Sequence, residues 1–156
     1  MTIEEEAATI AVRWDLNFQF KLGQTAGRFM AGLRDQQIRG TRCTNCQWTF
    51  VPPQAYCERC MHPVDEWVDI AQTGVIDAFT VVHIAPGGPP PPFVLATIRL
   101  DGADGLLHHH IGNVEFDSAG TVRDLRPGDR VEAVWSEQRT GQILDIAYFA
   151  PIDEQR

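Results

Sequence analysis

Short runs of apolar and β-branched residues recur in the second half of the chain, and turn-forming Gly, Asp and Pro residues separate them. Runs of this kind, with no long helical pattern between them, predict a small closed or nearly closed β-barrel. The five predicted strands are residues 75–84, 93–100, 106–111, 131–136 and 143–149.

The turns between the predicted strands are explicit in the sequence. Asp101-Gly102 and Thr140-Gly141 are dipeptides typical of tight turns. Residues 125–129 (LRPGD) form a turn that leads into the Val-rich strand at 131–136. This combination is typical of an OB-type barrel.

A helix is predicted ahead of the strands, over residues 25–38. Thr25 is the candidate N-cap and Gly40 the candidate stop. Its apolar stripe consists of Phe29, Met30 and Leu33. The stripe packs either locally or on another protein, and we list its three residues as candidates for partner binding.

The N-terminal arm carries large apolar residues at every second position. They are Trp14, Leu16, Phe18 and Phe20, with polar residues between them. This alternation predicts an extended segment with one apolar edge. That edge needs a surface to cover it, either on the chain's own body or on another subunit, and we include these four residues among the partner-binding candidates.

All four cysteines lie in one short segment, as two Cys-x-x-Cys pairs separated by ten residues: Cys43, Cys46, Cys57 and Cys60. Each pair forms a knuckle that directs two thiolates at one ion, and two knuckles joined by a hairpin make a closed tetrahedral site. Such a site suits one Zn²⁺ per chain. Iron is the competing metal, because the spacing does not separate it from zinc.

The other interpretations of the cysteines are weaker. Two disulfides need an oxidising compartment, and a redox Cys-x-x-Cys needs one pair within a βαβ pattern. His62 lies near the last cysteine, but four thiolates already complete the site. A closed site has no open position for substrate, so the metal is expected to stabilise a segment that is too small to fold alone.

Composition narrows the class of protein. The 156 residues carry a net charge of −8, which argues against a general affinity for nucleic-acid phosphates. No window approaches the length of a membrane span. The first ten residues are acidic and show no secretory signal, so we expect a cytoplasmic protein.

Three consecutive histidines, His108 to His110, lie in the third predicted strand. His108 and His110 share one face, which suits metal binding or acid–base catalysis, while polar strand positions are the simpler interpretation. Only Ser118 and Ser136 are serines, and no Gly-x-Ser-x-Gly elbow is present. The sequence therefore argues against independent acyl-transfer chemistry.

Several segments together resemble the domain-of-unknown-function-35 proteins. They are residues 40–46 (GTRCTNC), 50–60 (FVPPQAYCERC), Trp67-Val68, 73–77 (TGVID), 126–131 (RPGDRV) and the strand at 143–149. The resemblance covers roughly residues 14–151. It implies a mainly β chain with an N-terminal arm and helix (1–40), a rubredoxin-like zinc ribbon (41–66) and an OB-fold barrel (67–152). The four cysteines match the family's metal positions.

The resemblance also implies a function. Members of this family accompany thiolase-like enzymes, and some accompany hot-dog-fold enoyl-CoA hydratases. We therefore expect a non-catalytic subunit of a hetero-oligomer, in which the partner catalyses thiolysis, condensation or retro-aldol cleavage and acyl-CoA is the ligand of the complex. Arg39, Arg42 and Arg59 are candidates for CoA-phosphate contacts, although an ion-paired surface is the simpler interpretation.

Two other functions compete with this one. OB folds and zinc ribbons both bind nucleic acids, so a single-stranded nucleic-acid-binding module is one alternative. A stand-alone hydratase, or another small enzyme, that uses the histidine cluster with His108 and His110 is the other.

Overall fold

A computed structural model describes residues 19–86 and 88–152. Within these residues the first regular element is helix α1, Gly23–Arg34, which begins after Leu22 without a side-chain cap. Thr25 lies inside the helix, so its prediction as the N-cap was wrong. No helix in the described part of the chain is long and apolar enough to cross a membrane.

Helix α1 also ends earlier than its pattern predicts. Gln36 adopts a left-handed conformation with φ 58°. The N–H groups of Gln36 and Gln37 then bond to the carbonyls of Leu33 and Gly32, at 3.0 and 2.8 Å. This is the Schellman arrangement that closes a helix. The predicted residues 35–38 are therefore outside the helix.

Three strands form a small sheet after the helix, in the order β2-β1-β3. They are β1 (Ile38–Arg42), β2 (Thr49–Phe50) and β3 (Glu66–Ile70). Gly40 lies within β1 and does not stop the helix. A Cβ at this position would lie 2.6 Å from the carbonyl oxygen of Phe50. Only glycine permits so close an approach of two strands.

The remaining strands close into a barrel in the order β4-β5-β6-β8-β7, which confirms the predicted OB-like barrel. They are β4 (Thr73–Val82), β5 (Phe93–Leu100), β6 (Leu107–Ile111), β7 (Arg130–Trp135) and β8 (Ile146–Pro151). Residues 143–145 form a 3₁₀ turn and not the start of the last strand. The buried Asp145 accounts for this turn, because its carboxylate accepts N–H bonds from Thr140, Gly141 and Gln142.

One hydrophobic core joins the helix, the small sheet and the barrel. Phe29 is 2% exposed and Leu33 is 0% exposed, and both belong to the same buried cluster as barrel residues such as Phe149. The helix stripe therefore packs locally, which was one of its two predicted interpretations. This corrects the expectation that Phe29 and Leu33 face a partner, because the chain's own core covers them.

The small sheet is fixed to the barrel at the turn between β5 and β6. The N–H groups of Asp104 and Gly105 bond to the carbonyl of Thr49 at 3.0 and 3.1 Å. Asp101, in the same turn, accepts two bonds from the Arg130 guanidinium at 2.8 and 2.6 Å. The Arg130 hydrogen bonds lower the pKa of Asp101 to about 2, so this contact is ionic at neutral pH.

The predicted domain boundaries stay a prediction. Strand β1 runs across the predicted boundary between residues 40 and 41, and β3 lies across the one between 66 and 67. Because β3 pairs with β1, the small sheet draws on residues from all three predicted segments.

Candidate metal centre

The four cysteines converge at one point of the small sheet. Their Sγ atoms all lie within 4.8 Å of one another. Cys43 Sγ is 3.6 Å from Cys60 Sγ, and Cys46 Sγ is 3.5 Å from Cys57 Sγ. A disulfide requires about 2.05 Å, so neither pair is oxidised. The structure therefore brings together all four residues that the spacing predicts as ligands.

The two knuckles repeat one hydrogen-bonding pattern. In the first, the Cys43 N–H bonds to Trp48 O at 2.9 Å and the Gln47 N–H bonds to Cys43 O at 2.8 Å. In the second, the corresponding bonds are Cys57 N–H to His62 O and Met61 N–H to Cys57 O, at the same two distances. Each knuckle thus holds its two thiols in one orientation.

The separations of the sulfurs fit a tetrahedral metal. A Zn–S bond of about 2.3 Å places the ligands of a regular tetrahedron about 3.8 Å apart. The Cys46–Cys57 and Cys43–Cys60 separations, 3.5 and 3.6 Å, lie close to that value. Four soft thiolates suit Zn²⁺, and a rubredoxin-type iron site has the same donor set. The residues present therefore fit the predicted metal, which would supply structure and no open coordination position.

Two of the thiols have shifted pKa values. Hydrogen bonds from the Asn45 side chain and the His62 backbone lower the pKa of Cys60 to about 6. The backbone of Trp48 lowers the pKa of Cys46, but burial and the neighbouring thiols outweigh this and raise it to about 11. The neighbouring thiols thus raise the pKa of Cys46 and lower that of Cys60, because closely spaced thiols share hydrogen bonds that stabilise one thiolate at the expense of another.

His62 contributes its backbone and not its ring to this site. Its carbonyl oxygen accepts the Cys57 N–H at 2.9 Å, and its side chain is exposed. The four-cysteine group identified among the described residues does not include it.

The three arginines proposed for CoA contacts occupy different environments. Arg39 pairs with Asp69 at 3.7 Å, and Arg42 Nε donates to Thr49 Oγ1 at 3.2 Å. The Arg59 guanidinium lies over the Trp48 ring, 4.3 Å from its centroid. Because side chains alternate along a strand, Arg39 and Arg42 lie on opposite faces of β1.

The arm residues proposed for partner binding lie mostly outside the described residues. Trp14, Leu16 and Phe18 are not part of the described chain. Phe20 is 76% exposed. Met30, from the helix stripe, is half-buried against the core.

The three histidines of β6 are divided between the two sides of the barrel wall. His109 points inward and is 3% exposed. Its Nε2 lies 3.2 Å from Ile143 O, and its Nδ1 accepts the His110 N–H at 2.9 Å. On the outside, His110 stacks on Phe93 with ring centroids 5.0 Å apart. The alternation was predicted, but the burial of His109 was not.

His108 lines a shallow cavity on the outer face of β4, β5 and β6. Its volume is about 310 Å³, and its other lining residues are Ala78, Phe79, Thr80, Leu95, Ala96 and Thr97. No carboxylate and no nucleophilic cysteine or serine belongs to this lining. The histidine thus faces an apolar surface without the partner that acid–base catalysis needs.

Sequence reasoning missed the contacts that fix the site to the barrel. Asp104 Oδ2 accepts the Thr49 N–H at 2.9 Å, next to the first knuckle. The dipeptide Asp104-Gly105 is typical of a turn, but it does not indicate a contact with a segment 55 positions away.

Comparisons with protein families match both halves of this architecture. The model of the ChsH2 rubredoxin-like zinc ribbon domain matches residues 30–62. The model of the ChsH2 C-terminal OB-fold domain matches residues 67–136. Among curated proteins, none matches the sequence significantly.

Two solved structures share the fold. One is a protein of unknown function from the DUF35 family of Sulfolobus solfataricus, with a TM-score of 0.59 and 21% identity over 83% of this chain and 84% of that chain. The other is described as "Ltp2-ChsH2(DUF35) aldolase", with a TM-score of 0.56 and 19% identity over 80% of this chain and 91% of that chain. The predicted resemblance is confirmed: the chain joins a ChsH2-type zinc ribbon to a ChsH2-type OB fold, and these two structures of the same fold are described as DUF35 proteins.

Proposed function

We propose that this chain is a non-catalytic subunit of an acyl-CoA enzyme complex. A thiolase-like partner would supply the nucleophile or base, and this chain would complete or shape the passage for the acyl-CoA. The main support is the closed cluster of four thiols. A metal bound by all four would have no open coordination position for substrate or water. Such a centre builds a rigid surface and performs no chemistry of its own.

The reactive groups of the described residues support this proposal. All four cysteines belong to the metal cluster. Ser136 Oγ donates to Gln138 O at 2.9 Å, and Ser118 is exposed beside the Asp117 turn. Neither serine has the hydrogen bond to a base that activates a nucleophile, among the contacts of residues 19–86 and 88–152.

The comparisons favour a partner of the same kind. The neighbour described as "Ltp2-ChsH2(DUF35) aldolase" associates a ChsH2-type chain with a second protein and with an aldolase. The family resemblance implies thiolase-like partners, whose reactions include retro-aldol cleavage, thiolysis and condensation.

The nucleic-acid alternative has less support. A groove that binds single-stranded nucleic acid needs basic side chains that are free to contact its phosphates. Arg99 instead pairs with Asp77 at 2.7 Å. Arg139 donates to the carbonyls of Arg34 and Ser136 at 3.0 and 2.6 Å.

We further propose that Arg42 and Arg59 carry any contact of this chain with the CoA phosphates. They contact the consecutive residues Thr49 and Trp48, which follow the ligand Cys46 in the sequence. Arg39 lies on the opposite face of β1 and is already paired with Asp69, which makes it the weaker candidate.

The test is co-expression of this chain with each thiolase-like protein encoded in the same genome. We expect one of them to form a stable complex that is active in thiolysis, condensation or retro-aldol cleavage, while the isolated chain is inactive in all three. Cys57→Ser, which removes a metal ligand, is expected to abolish the complex. Full activity of the isolated chain would contradict the proposal, and a complex with a hot-dog-fold hydratase instead would favour the alternative partner.

A further inference from the structure

The second knuckle carries two large apolar side chains on its outer surface. Tyr56, which precedes the ligand Cys57, is 62% exposed, and Met61, which follows the ligand Cys60, is 75% exposed. We call residues 55–64 the knuckle tip. Single exposed apolar residues are ordinary on protein surfaces, so their exposure alone assigns them no role.

Met61 also occupies a backbone conformation that is unfavourable for a residue with a side chain. Its φ is 58°, in the left-handed region. The knuckle requires this conformation, because the Met61 N–H bonds back to Cys57 O at 2.8 Å. Glycine would satisfy the same geometry without steric cost. The chain therefore keeps a methionine where its own fold favours glycine.

The first knuckle provides an internal comparison. Gln47 has the equivalent position, with φ 60° and an N–H bonded to Cys43 O at 2.8 Å. Its side chain serves the knuckle itself, because Nε2 donates to Thr44 O at 2.8 Å. A methionine thioether has no donor and cannot make this bond. The side chain of Met61 thus has no corresponding role within the fold.

The backbone of the knuckle tip is already ordered. The Val64 N–H bonds to Ala55 O at 2.8 Å, and Tyr56 pairs with Pro63 in an antiparallel bridge. Side chains presented on an ordered backbone lose little conformational entropy when they bind. Tyrosine and methionine are both enriched in protein interfaces, and methionine adapts well to irregular apolar pockets.

The charges around the tip restrict the kind of partner. Glu58, Asp65 and Glu66 are exposed beside it, and the whole chain carries a net charge of −8. Arg59 is also exposed there and can contact a single phosphate group, but the acidic residues outnumber it and repel the phosphate arrays of nucleic acids and anionic lipid surfaces. Two acidic tips repel each other, so a symmetric contact between the tips of two copies of the chain is disfavoured. A recess on another protein that is lined by apolar side chains would accommodate Tyr56 and Met61.

We propose that the knuckle tip is an anchor that inserts Tyr56 and Met61 into an apolar recess of the catalytic subunit. This inference rests on the proposed function, because the thiolase-like subunit is the partner that contains the recess. A metal-clamped tip would fix the position of the two proteins relative to each other.

The experiment measures the dissociation constant between the full zinc-loaded chain and the thiolase-like subunit that co-purifies with it. Met61→Gly is expected to raise the dissociation constant about tenfold or more, as loss of an interface anchor does. Its melting temperature should equal or exceed that of the unsubstituted chain, because the backbone strain is relieved. Tyr56→Ser is expected to weaken binding to a similar extent.

Gln47→Gly is the matched control, because it relieves the same backbone strain in the other knuckle. It should leave the dissociation constant unchanged. If Met61→Gly and Tyr56→Ser bind as tightly as the unsubstituted chain, the anchor is refuted and the proposed function stands. If Met61→Gly binds weakly only because it has lost its metal, the anchor is also refuted. If the unsubstituted chain binds no thiolase-like subunit, the proposed function itself fails.

Discussion

Asp104 Oδ2 accepts a hydrogen bond from the backbone N–H of Thr49 at 2.9 Å, across 55 positions of the sequence. Thr49 lies in β2, three residues after the ligand Cys46, and Asp104 lies in the turn between β5 and β6. The backbone groups of Asp104 and Gly105 add two more bonds to Thr49 O. Thr49, beside the first knuckle, is therefore one point at which the metal ribbon is attached to the barrel.

Removal of the Asp104 carboxylate should loosen this attachment. We expect Asp104→Ala to lower the free energy of unfolding by about 1.5 kcal/mol, the range for a hydrogen bond to a charged group. Zinc should also exchange faster, because the first knuckle loses support. Denaturant unfolding and metal transfer to a chromogenic chelator measure the two effects.

Asp77→Ala is the control for this prediction. Asp77 pairs with Arg99 at 2.7 Å on the exposed outside of the barrel. Exposed ion pairs contribute little, so we expect a loss of about 0.5 kcal/mol or less and no change in zinc exchange. Equal effects of the two substitutions would show that the Asp104 contact does not secure the ribbon.

The buried His109 makes the stability of the barrel depend on pH. Burial lowers the pKa of His109 below its ordinary value of 6.5. The groups around it are the carbonyl of Ile143, the ring of Phe149 and the neighbouring His110. Protonation would place a second N–H at Nδ1, which already accepts the His110 N–H.

The sign of the effect follows from the lowered pKa. Above pH 6.5 the histidine is neutral in the folded and unfolded chains, and its contribution is complete. As the pH falls below 6.5, the unfolded chain binds a proton first, so stability decreases by up to about 1.4 kcal/mol per pH unit. Urea unfolding between pH 7 and 5 should show this slope.

His109→Gln should remove that part of the slope, whereas the exposed His108→Gln should retain it. Metal thiolates and carboxylates also titrate on acidification, so the difference between the two variants is the informative quantity. Identical slopes in both variants would contradict the assignment to His109.

The arginines beside the metal cluster should affect substrate affinity in the complex. We expect the double substitution of Arg42→Gln and Arg59→Gln to raise the KM for acyl-CoA about tenfold with little change in kcat, because two phosphate contacts are lost far from the reacting thioester. Arg39→Gln should leave KM unchanged, since Arg39 lies on the other face of β1. An effect of Arg39→Gln equal to that of the double variant would reverse this assignment.

The sequence predicted the metal site well because its information is local. Each Cys-x-x-Cys forms its own knuckle, and spacing alone places two thiols on one side. The barrel strands were also found, because their turns contain Gly, Pro and Asp. Strand β3 (Glu66–Ile70) was not predicted. No turn dipeptide such as Asp-Gly marks where the ribbon ends and the strand begins.

The errors concern residues whose roles depend on distant contacts. The helix stop was assigned to Gly40, but the close approach of β1 to Phe50 O requires that glycine. The true stop, Gln36, carries no sequence signal for a left-handed conformation. Burial of Phe29 and Leu33 depends on where the helix packs, and periodicity reveals the stripe without revealing what covers it.

We propose that one metal ion, held by four thiolates, builds the ribbon that this chain presents to its partner. The most direct measurement is the metal content of the purified chain, combined with its unfolding before and after treatment with a strong chelator. We predict one zinc ion per chain, and loss of the ribbon's structure when the metal is removed. A chain that is folded without metal and unaffected by chelators would contradict the claim.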